Sequence, residues 1–147
     1  MKPYGVLIGE SPGPNTANSA VDRLMKYAEV EPAGWAGKLI RMNLCDGPWS
    51  ARRATAGRAR AIEYLFNKAN CNDGRPLRVL LLGKRIARAW ACHGPFGYVT
   101  HHYGGQPNLH IAWIPYPSGR NPIYNERKNQ LRAKRAVLWA LGERAKP

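Results

Sequence analysis

Four short apolar runs, each ending at a glycine, asparagine or proline, constrain the fold more than any other feature of this sequence. They cover residues 4–9, 38–43, 77–83 and 109–115. Apolar runs of this length are typical of β-strands, and the third, LRVLLLG, has the uninterrupted pattern of a strand buried on both faces. The sequence therefore predicts four strands.

Apolar residues at helical spacing follow each of these runs. Residues 86–91 fit a short helix, and the other segments are marked by Val21, Leu24, Met25 and Ala28, by Ala61, Ile62, Leu65, Phe66 and Ala69, and by Leu131, Leu138 and Leu141. Four strand–helix alternations predict an α/β fold, a three-layer α/β/α sandwich around a four-stranded parallel sheet. We expect residues 1–147 to form one domain.

The chain is strongly basic, and its charge is unevenly distributed. The net charge is +14; five Lys and Arg accompany five acids up to Ser50, and eighteen accompany four acids after it. A solvated surface explains any single arginine. The excess as a whole indicates a polyanionic partner.

Cysteine usage and hydropathy bear on the compartment. Cys45, Cys71 and Cys92 are odd in number, widely spaced and without a C-x-x-C pair, so they predict no disulfide framework, zinc site or iron–sulfur site. The sequence has no apolar leader and no apolar run long enough to cross a membrane. We expect a soluble, cytoplasmic monomer with no membrane partner.

In an open parallel sheet the ligand lies beyond the carboxyl ends of the strands, so the segment after each predicted strand is a candidate. After the first strand, GESPGP places Glu10 and Ser11 at the rim of a cleft. An ordinary turn explains its glycines and prolines equally well. The lysine and the spacing of a Walker A loop are missing.

The segment after the second strand begins with Asn43. The amide of an asparagine offers donors and an acceptor that can discriminate the edge of a base, whereas the alternative role for Asn43 is to cap a turn. Ser50 then fits a helix N-cap, and the helix behind it carries Arg52 and Arg53, which could contact phosphates.

Basic residues also follow the third strand, where Lys84 and Arg85 begin a helix. Further on, HHYGG is interpreted as a turn. A metal site at His101 and His102 is the minor alternative, because no third ligand stands at a regular offset.

The fourth strand leads into YPSGRNPIYN. Pro117 and Gly119 exclude a helix immediately after the strand, and Arg120 projects from the resulting loop. A basic helix containing Arg127 and Lys128 is predicted to begin at residue 125 or 126.

Taken together and in order, these segments resemble the motifs of the uracil-DNA glycosylase superfamily. GESPGP is similar to the G-M-N-P-G-P of the single-strand-selective monofunctional branch, NLC to its N-L-C, and YPSGRNPIYN to its H-P-S-P-R-N-P-x-x-N. GESPG also resembles the G-E-A-P-G of the thermostable iron–sulfur branch, whose cysteine quartet this sequence lacks. The resemblance covers roughly a third of the chain and implies DNA, single- or double-stranded, as the partner.

The resemblance also implies roles for the matched residues, with no metal or cofactor. Catalysis falls to Glu10, Ser11 and Tyr116, and Gly13 leaves room for a C5 substituent on the base. Substrate contacts are expected at Gly9, Pro12, Gly13, Asn43 and Ser118, with Asn43 bonded to the flipped pyrimidine. The predicted DNA contacts are Arg52, Arg53, Lys84, Arg85, Pro117, Gly119, Arg120, Asn121, Arg127 and Lys128.

Two positions depart from the family pattern. Ser11 stands where the family has an Asp or Asn that positions water, and Tyr116 stands where it has a histidine. The expected function is that of a monofunctional DNA glycosylase, a hydrolase removing uracil or a C5-modified uracil from DNA. The alternatives are a non-hydrolytic reader or modifier of modified bases with the same fold, and a basic α/β protein that binds RNA.

Overall fold

A computed structural model describes residues 5–10, 19–31, 37–118 and 121–142 of the chain. The strands are β1 (Gly5–Gly9), β2 (Leu39–Asn43), β3 (Leu77–Leu82) and β4 (Leu109–Ile114). The α-helices are α1 (Ser19–Ala28), α2 (Ala51–Asn70), α3 (Lys84–Ala89) and α4 (Arg127–Ala140), and Tyr103–Gly105 and Pro122–Asn125 form short 3-10 turns.

The four strands form one parallel sheet in the order β2-β1-β3-β4. Ile8 of β1 pairs with Met42 of β2 on one side and with Leu81 of β3 on the other, and Leu82 of β3 pairs with Ile114 of β4. All four strands therefore end at the same edge of the sheet, which we call the carboxyl edge.

Helices cover both faces of this sheet. Val6 and Ile8 contact a core that includes Leu65 of α2 and Ile86 of α3. Leu7 points to the opposite face, where the core includes residues of α1 and α4 such as Leu24, Val137 and Ala140. The predicted three-layer α/β/α sandwich with a four-stranded parallel sheet is confirmed.

Helix α2 is fixed at its start by the predicted cap and in its middle by a close approach to the sheet. The Ser50 hydroxyl accepts a hydrogen bond from the Arg53 backbone N–H at 3.1 Å, which confirms Ser50 as the N-cap. One turn further, a methyl group at Gly57 would overlap the carbonyl oxygen of Leu44. Glycine is required there because helix and backbone are in direct contact.

Helix α4 begins later than predicted. The residues before it, Pro122–Asn125, form a 3-10 turn in which the Asn121 side chain accepts from the Ile123 N–H, and Glu126 is the N-cap of α4. The prediction of a helix start at 125 or 126 was therefore one or two residues early. Helix α3 begins at Lys84, as predicted from the basic residues after β3, and ends at Ala89, two residues before the end of the predicted 86–91 segment.

Replacing Gly57 with alanine tests the contact between α2 and the segment after β2. We expect Gly57→Ala to lower the free energy of unfolding by about 1–3 kcal/mol, because the added methyl must displace backbone. In a helix without such a contact, alanine would instead stabilise relative to glycine. Urea denaturation measures the change.

Gly47→Ala is the matched control, since a methyl group there would stand at an ordinary 3.8 Å from the Arg53 guanidinium carbon. Its free energy of unfolding should change by less than about 0.5 kcal/mol. A Gly57→Ala protein as stable as the unmodified chain would contradict the described packing.

Candidate functional site

The carboxyl edge contains a topological switch point between β1 and β3. The chain passes from β1 outward to β2 and then crosses to β3 on the other side of β1. Connections that leave adjacent strands in opposite directions open a crevice at their ends, where ligands bind in folds of this class. With strands about 4.8 Å apart, the edge from β2 to β4 spans about 14 Å.

Asn43 and Gly9 lie side by side at this edge. The pairing of β1 with β2 continues past the strands, with Leu44 N–H donating to Gly9 O and Cys45 N–H to Glu10 O, each at 2.9 Å. A methyl group at Gly9 would lie 3.0 Å from Asn43 Oδ1. The Asn43 side chain is exposed, and it makes no hydrogen bond within the described part of the chain.

Glu10 is held by Arg85, which follows β3. Arg85 Nε donates to Glu10 Oε2 at 3.0 Å and Nη2 donates to Oε1 at 2.9 Å, a two-point ion pair across the switch point. The hydrogen bond to Glu10 raises the pKa of Arg85 above its ordinary value. The Glu10 side chain is only 16% exposed, whereas that of Arg85 is 55% exposed. The pair thus joins the segments after β1 and β3.

Two further residues surround this ion pair. Gly83 has a φ of 130°, a conformation that favours glycine, and a methyl group there would lie 3.6 Å from the Glu10 carboxyl carbon. The Arg85 guanidinium carbon lies 4.6 Å from the ring centre of Trp49, in the loop between β2 and α2. Three of the four segments at the carboxyl edge therefore meet at Arg85.

The segment after β4 is closed by its own hydrogen bonds. The Tyr116 carbonyl accepts from the Ser118 N–H at 2.8 Å and from Asn121 Nδ2 at 3.1 Å. Tyr124 donates its hydroxyl to the Pro115 carbonyl at 2.6 Å, and burial raises the pKa of this tyrosine. The Tyr116 side chain is 38% exposed. The loop is thus fixed from behind and presents Tyr116 outward.

Two residues of that loop that were predicted to contact DNA make contacts within the protein. Pro117 is buried. Both side-chain atoms of Asn121 are used inside the loop, since Oδ1 accepts from the Ile123 N–H while Nδ2 donates to Tyr116. The expected DNA contacts of Pro117 and Asn121 stay predictions, as do the roles of Tyr116 and Ser118 at the substrate.

Most arginines of α2 have intramolecular partners. Arg53 Nη1 donates to the Pro48 carbonyl at 3.0 Å, Arg60 pairs with Asp46 at 3.2 Å, and Arg58 donates to Tyr103. The first two support the loop that follows Asn43. Arg52 is exposed and has no bonded partner among the described residues.

The remaining predicted DNA contacts lie on two exposed surfaces. Lys84 is exposed beside Arg85 at the start of α3. At the start of α4, Arg127 donates to Gln130 at 3.1 Å and Lys128 pairs with Glu126 at 3.2 Å. These contacts are exposed to solvent, so they hold the cations only weakly.

Five predicted site residues lie outside the described residues. They are Ser11, Pro12 and Gly13 of the first segment and Gly119 and Arg120 of the last. The structure therefore brings together Gly9, Glu10, Asn43, Lys84 and Arg85 across β2, β1 and β3, with Tyr116 following β4.

Two features of the site were not predicted from the sequence. One is the pairing of Glu10 with Arg85, because their proximity follows from a strand order that the sequence does not specify. The other is Trp49, whose signal in the sequence is an aromatic side chain, able to stack on a cation, in the segment after a predicted strand.

A histidine cluster lies at the opposite edge of the sheet. The ring of His110 on β4 is 4.7 Å from that of His101 and 5.9 Å from that of His102, centre to centre. No three His, Cys, Asp or Glu residues within the described ranges are arranged to hold a metal ion. Burial, and next the charge of His101, lower the pKa of His110.

The three cysteines form no disulfide with one another. Cys45 and Cys92 are buried and Cys71 is exposed. Burial raises the pKa of Cys92 to about 11. In the part of the chain that the structure covers, every helix is too short or too polar to cross a membrane.

No protein-family model matches this sequence, and no curated protein does either.

The lowered pKa of His110 predicts a loss of stability in mild acid. A neutral His110 is favoured in the folded state, so its contribution is present above the unfolded pKa of about 6.5 and is lost as pH falls below that value. The groups facing it are His101, His102, Arg78 and the Pro107 carbonyl, and only the last favours the charged form. Urea denaturation of His110→Gln should show a smaller decrease between pH 7 and 5.

His93→Gln, at an exposed histidine outside this cluster, is the control and should follow the unmodified chain. If His110→Gln loses as much stability in acid as the unmodified chain does, another group causes the acid sensitivity.

Proposed function

We propose that this chain hydrolyses the N-glycosidic bond of uracil, or of a C5-modified uracil, flipped out of DNA. The observation that carries the proposal is that the ends of β2 and β1 place the Asn43 side chain beside Gly9 and the Glu10 carboxylate beside Gly83, at the same edge of a parallel sheet. One group is suited to recognising the edge of a base and the other to accepting a proton from water. Selective removal of a base by water combines these two tasks, recognition of the base and activation of the water.

Asn43 would recognise the base. Its amide offers one acceptor and two donors, which complement the N–H and carbonyl groups along the edge of uracil. Its side chain is exposed and makes no hydrogen bond to another described residue, so binding a base would break no bond within the described part of the chain.

Glu10 would act on water. Its carboxylate accepts a proton from a water molecule as the oxygen of that water bonds to C1′ of the deoxyribose. The C1′–N1 bond breaks and its electron pair leaves with the pyrimidine. The base anion then takes up a proton, returned by Glu10 or supplied by solvent, and the products are the free base and an abasic sugar. Donors aimed at the carbonyl oxygen of the departing base stabilise its negative charge, and each is worth about 3–4 kcal/mol. The exposed Tyr116 hydroxyl is the candidate donor, two strands or about 10 Å from β1.

Access to a base inside DNA requires that the base leave the stack. The +14 net charge supports binding to the backbone, and the exposed Arg52 and Lys84 lie next to the candidate crevice. Binding of this kind releases counterions, so its affinity falls steeply with salt.

The second candidate is a reader that binds a modified base without cleaving it. One observation favours it: both oxygens of Glu10 already accept from Arg85, so a water molecule must use the acceptor capacity that remains. Both candidates predict salt-dependent binding to DNA, but only the hydrolase predicts that the base is released.

Oligonucleotides containing uracil or 5-hydroxymethyluracil, single- or double-stranded, test the proposal. Incubation followed by alkali should cleave the strand at the modified base. Glu10→Gln should slow cleavage on the order of 100-fold through loss of the proton acceptor. Asn43→Ala should slow it at least as much, because the base is no longer held by hydrogen bonds.

Glu63→Gln and Asn67→Ala are matched controls on the exposed face of α2, well along the helix from its start at the carboxyl edge. Both should cleave at the unmodified rate. The absence of cleavage in every oligonucleotide would refute the hydrolase, and salt-dependent binding without cleavage would support the reader.

A further inference from the structure

We propose that Arg85 is a positioning residue, which fixes the Glu10 carboxylate in the orientation that water attack requires. The inference rests on the proposed hydrolysis and assigns to Arg85 a role other than contact with DNA phosphate. It follows from the geometry of the ion pair, from the support behind it and from the unequal burial of its partners.

The geometry fixes the plane of the carboxylate. Parallel hydrogen bonds of 3.0 and 2.9 Å from Nε and Nη2 to the two carboxylate oxygens define both the direction and the tilt of the group. A lysine at the same position offers a point charge without this paired geometry. The two-point bond therefore specifies an orientation and not only a charge.

The guanidinium is itself held in place. It stacks on Trp49 at 4.6 Å, and Trp49 packs against the core beneath the sheet. The backbone after β3 also borders the carboxylate, since a methyl group at Gly83 would lie only 3.6 Å from the Glu10 carboxyl carbon. Glu10 is thus confined between Arg85 and the backbone after β3, and it cannot change rotamer without breaking the ion pair.

The remaining acceptor capacity of Glu10 is sufficient for water. An ionised carboxylate has about four lone-pair sites, and Arg85 uses two. The other two are the outer sites, one on each oxygen. A carboxylate with a fixed plane and a free acceptor site on each oxygen can accept from a water molecule in a defined direction.

Glu10 and Arg85 are unequally buried, and this allows contact with phosphate to be distinguished from the positioning of Glu10. Glu10 is 16% exposed and Arg85 is 55% exposed, so the ion pair has one solvent-facing side, that of the guanidinium. If Arg85 only attracted phosphate, its loss would weaken DNA binding and leave the cleavage step intact. If it positions Glu10, its loss slows the cleavage step itself.

Single-turnover cleavage and DNA affinity, measured separately on Arg85→Ala and Arg85→Lys, distinguish these roles. We expect both variants to cleave on the order of 100-fold more slowly at saturating enzyme, since misplacement of a reacting group by about 1 Å has this effect. Arg85→Lys should retain DNA affinity. Guanidinium chloride at millimolar concentration should partly restore Arg85→Ala, relative to sodium chloride at equal ionic strength.

Arg88→Ala is the matched control, because it removes the same charge from an exposed position one turn along α3. It should cleave at the unmodified rate and show no rescue. Arg85→Ala that saturates at the unmodified rate and loses only affinity would overturn the inference and leave Arg85 as a phosphate contact.

A second measurement separates this inference from the hydrolase proposal. In ¹⁵N-arginine spectra, the Arg85 Nε–H should give a slowly exchanging signal that disappears in Glu10→Gln and shifts in Trp49→Leu. If the unmodified chain releases no base, the hydrolase proposal fails, and this signal shows whether Arg85 holds Glu10 for another reaction. Rapid exchange in the unmodified chain, or a signal indifferent to Glu10→Gln, overturns the positioning role.

Discussion

The placement of β1 between β2 and β3, with parallel partners on both sides, is the constraint on which the rest of the structure depends. Val6, Leu7 and Ile8 are 0–1% exposed, so this strand is covered on both faces as well as on both edges. A strand bound on all sides cannot shift its register by one residue without moving apolar side chains between layers. The positions of Gly9 and Glu10 at its end are therefore fixed by the core.

The site at the carboxyl edge is an extension of that constraint. Backbone pairing continues from β1 and β2 to Glu10 and Cys45, which brings Asn43 next to Gly9. The contact of Gly57 with Leu44 fixes the same segment from the α2 side. The ion pair between Arg85 and Glu10, and the stacking of Arg85 on Trp49, then join the segments that packing has brought close together. Glu10 and Arg85 therefore have little freedom, because each is held by a neighbour that the core positions.

The sequence predicted the elements well because hydrophobic periodicity determines them. The run 77–83 was expected as a strand and β3 covers Leu77–Leu82, and the cap at Ser50 is confirmed. The start of α4 was less predictable, because the Pro122–Asn125 turn depends on a side-chain bond from Asn121 that local propensity does not reveal. Element boundaries follow from such individual contacts.

The candidate site was predictable in its residues more than in its interactions. Glu10 and Asn43 follow their strands, and the general rule for parallel sheets directs attention there. The partners of the charges were not predictable: Arg53 bonds Pro48, Arg60 pairs with Asp46, and Arg85 bonds Glu10. Arg85 and Glu10 are 75 residues apart along the chain, so their pairing depends on tertiary structure. Arg53 and Arg60 are 5 and 14 residues from their partners, and their bonds depend on how the loop between β2 and α2 folds back against the helix. Arg53 and Arg85, which were predicted to contact DNA phosphates, thus also hold the loops of the site in place.

Mass spectrometry of the products formed in ¹⁸O-labelled water tests the central claim, water attack on the glycosidic bond, most directly. The substrate would be DNA containing uracil or 5-hydroxymethyluracil. Hydrolysis predicts a free base without label and one ¹⁸O atom at C1′ of the abasic sugar, read after reduction to prevent exchange of that oxygen. DNA recovered with the base still attached, or a base released without label in the sugar, would contradict the account.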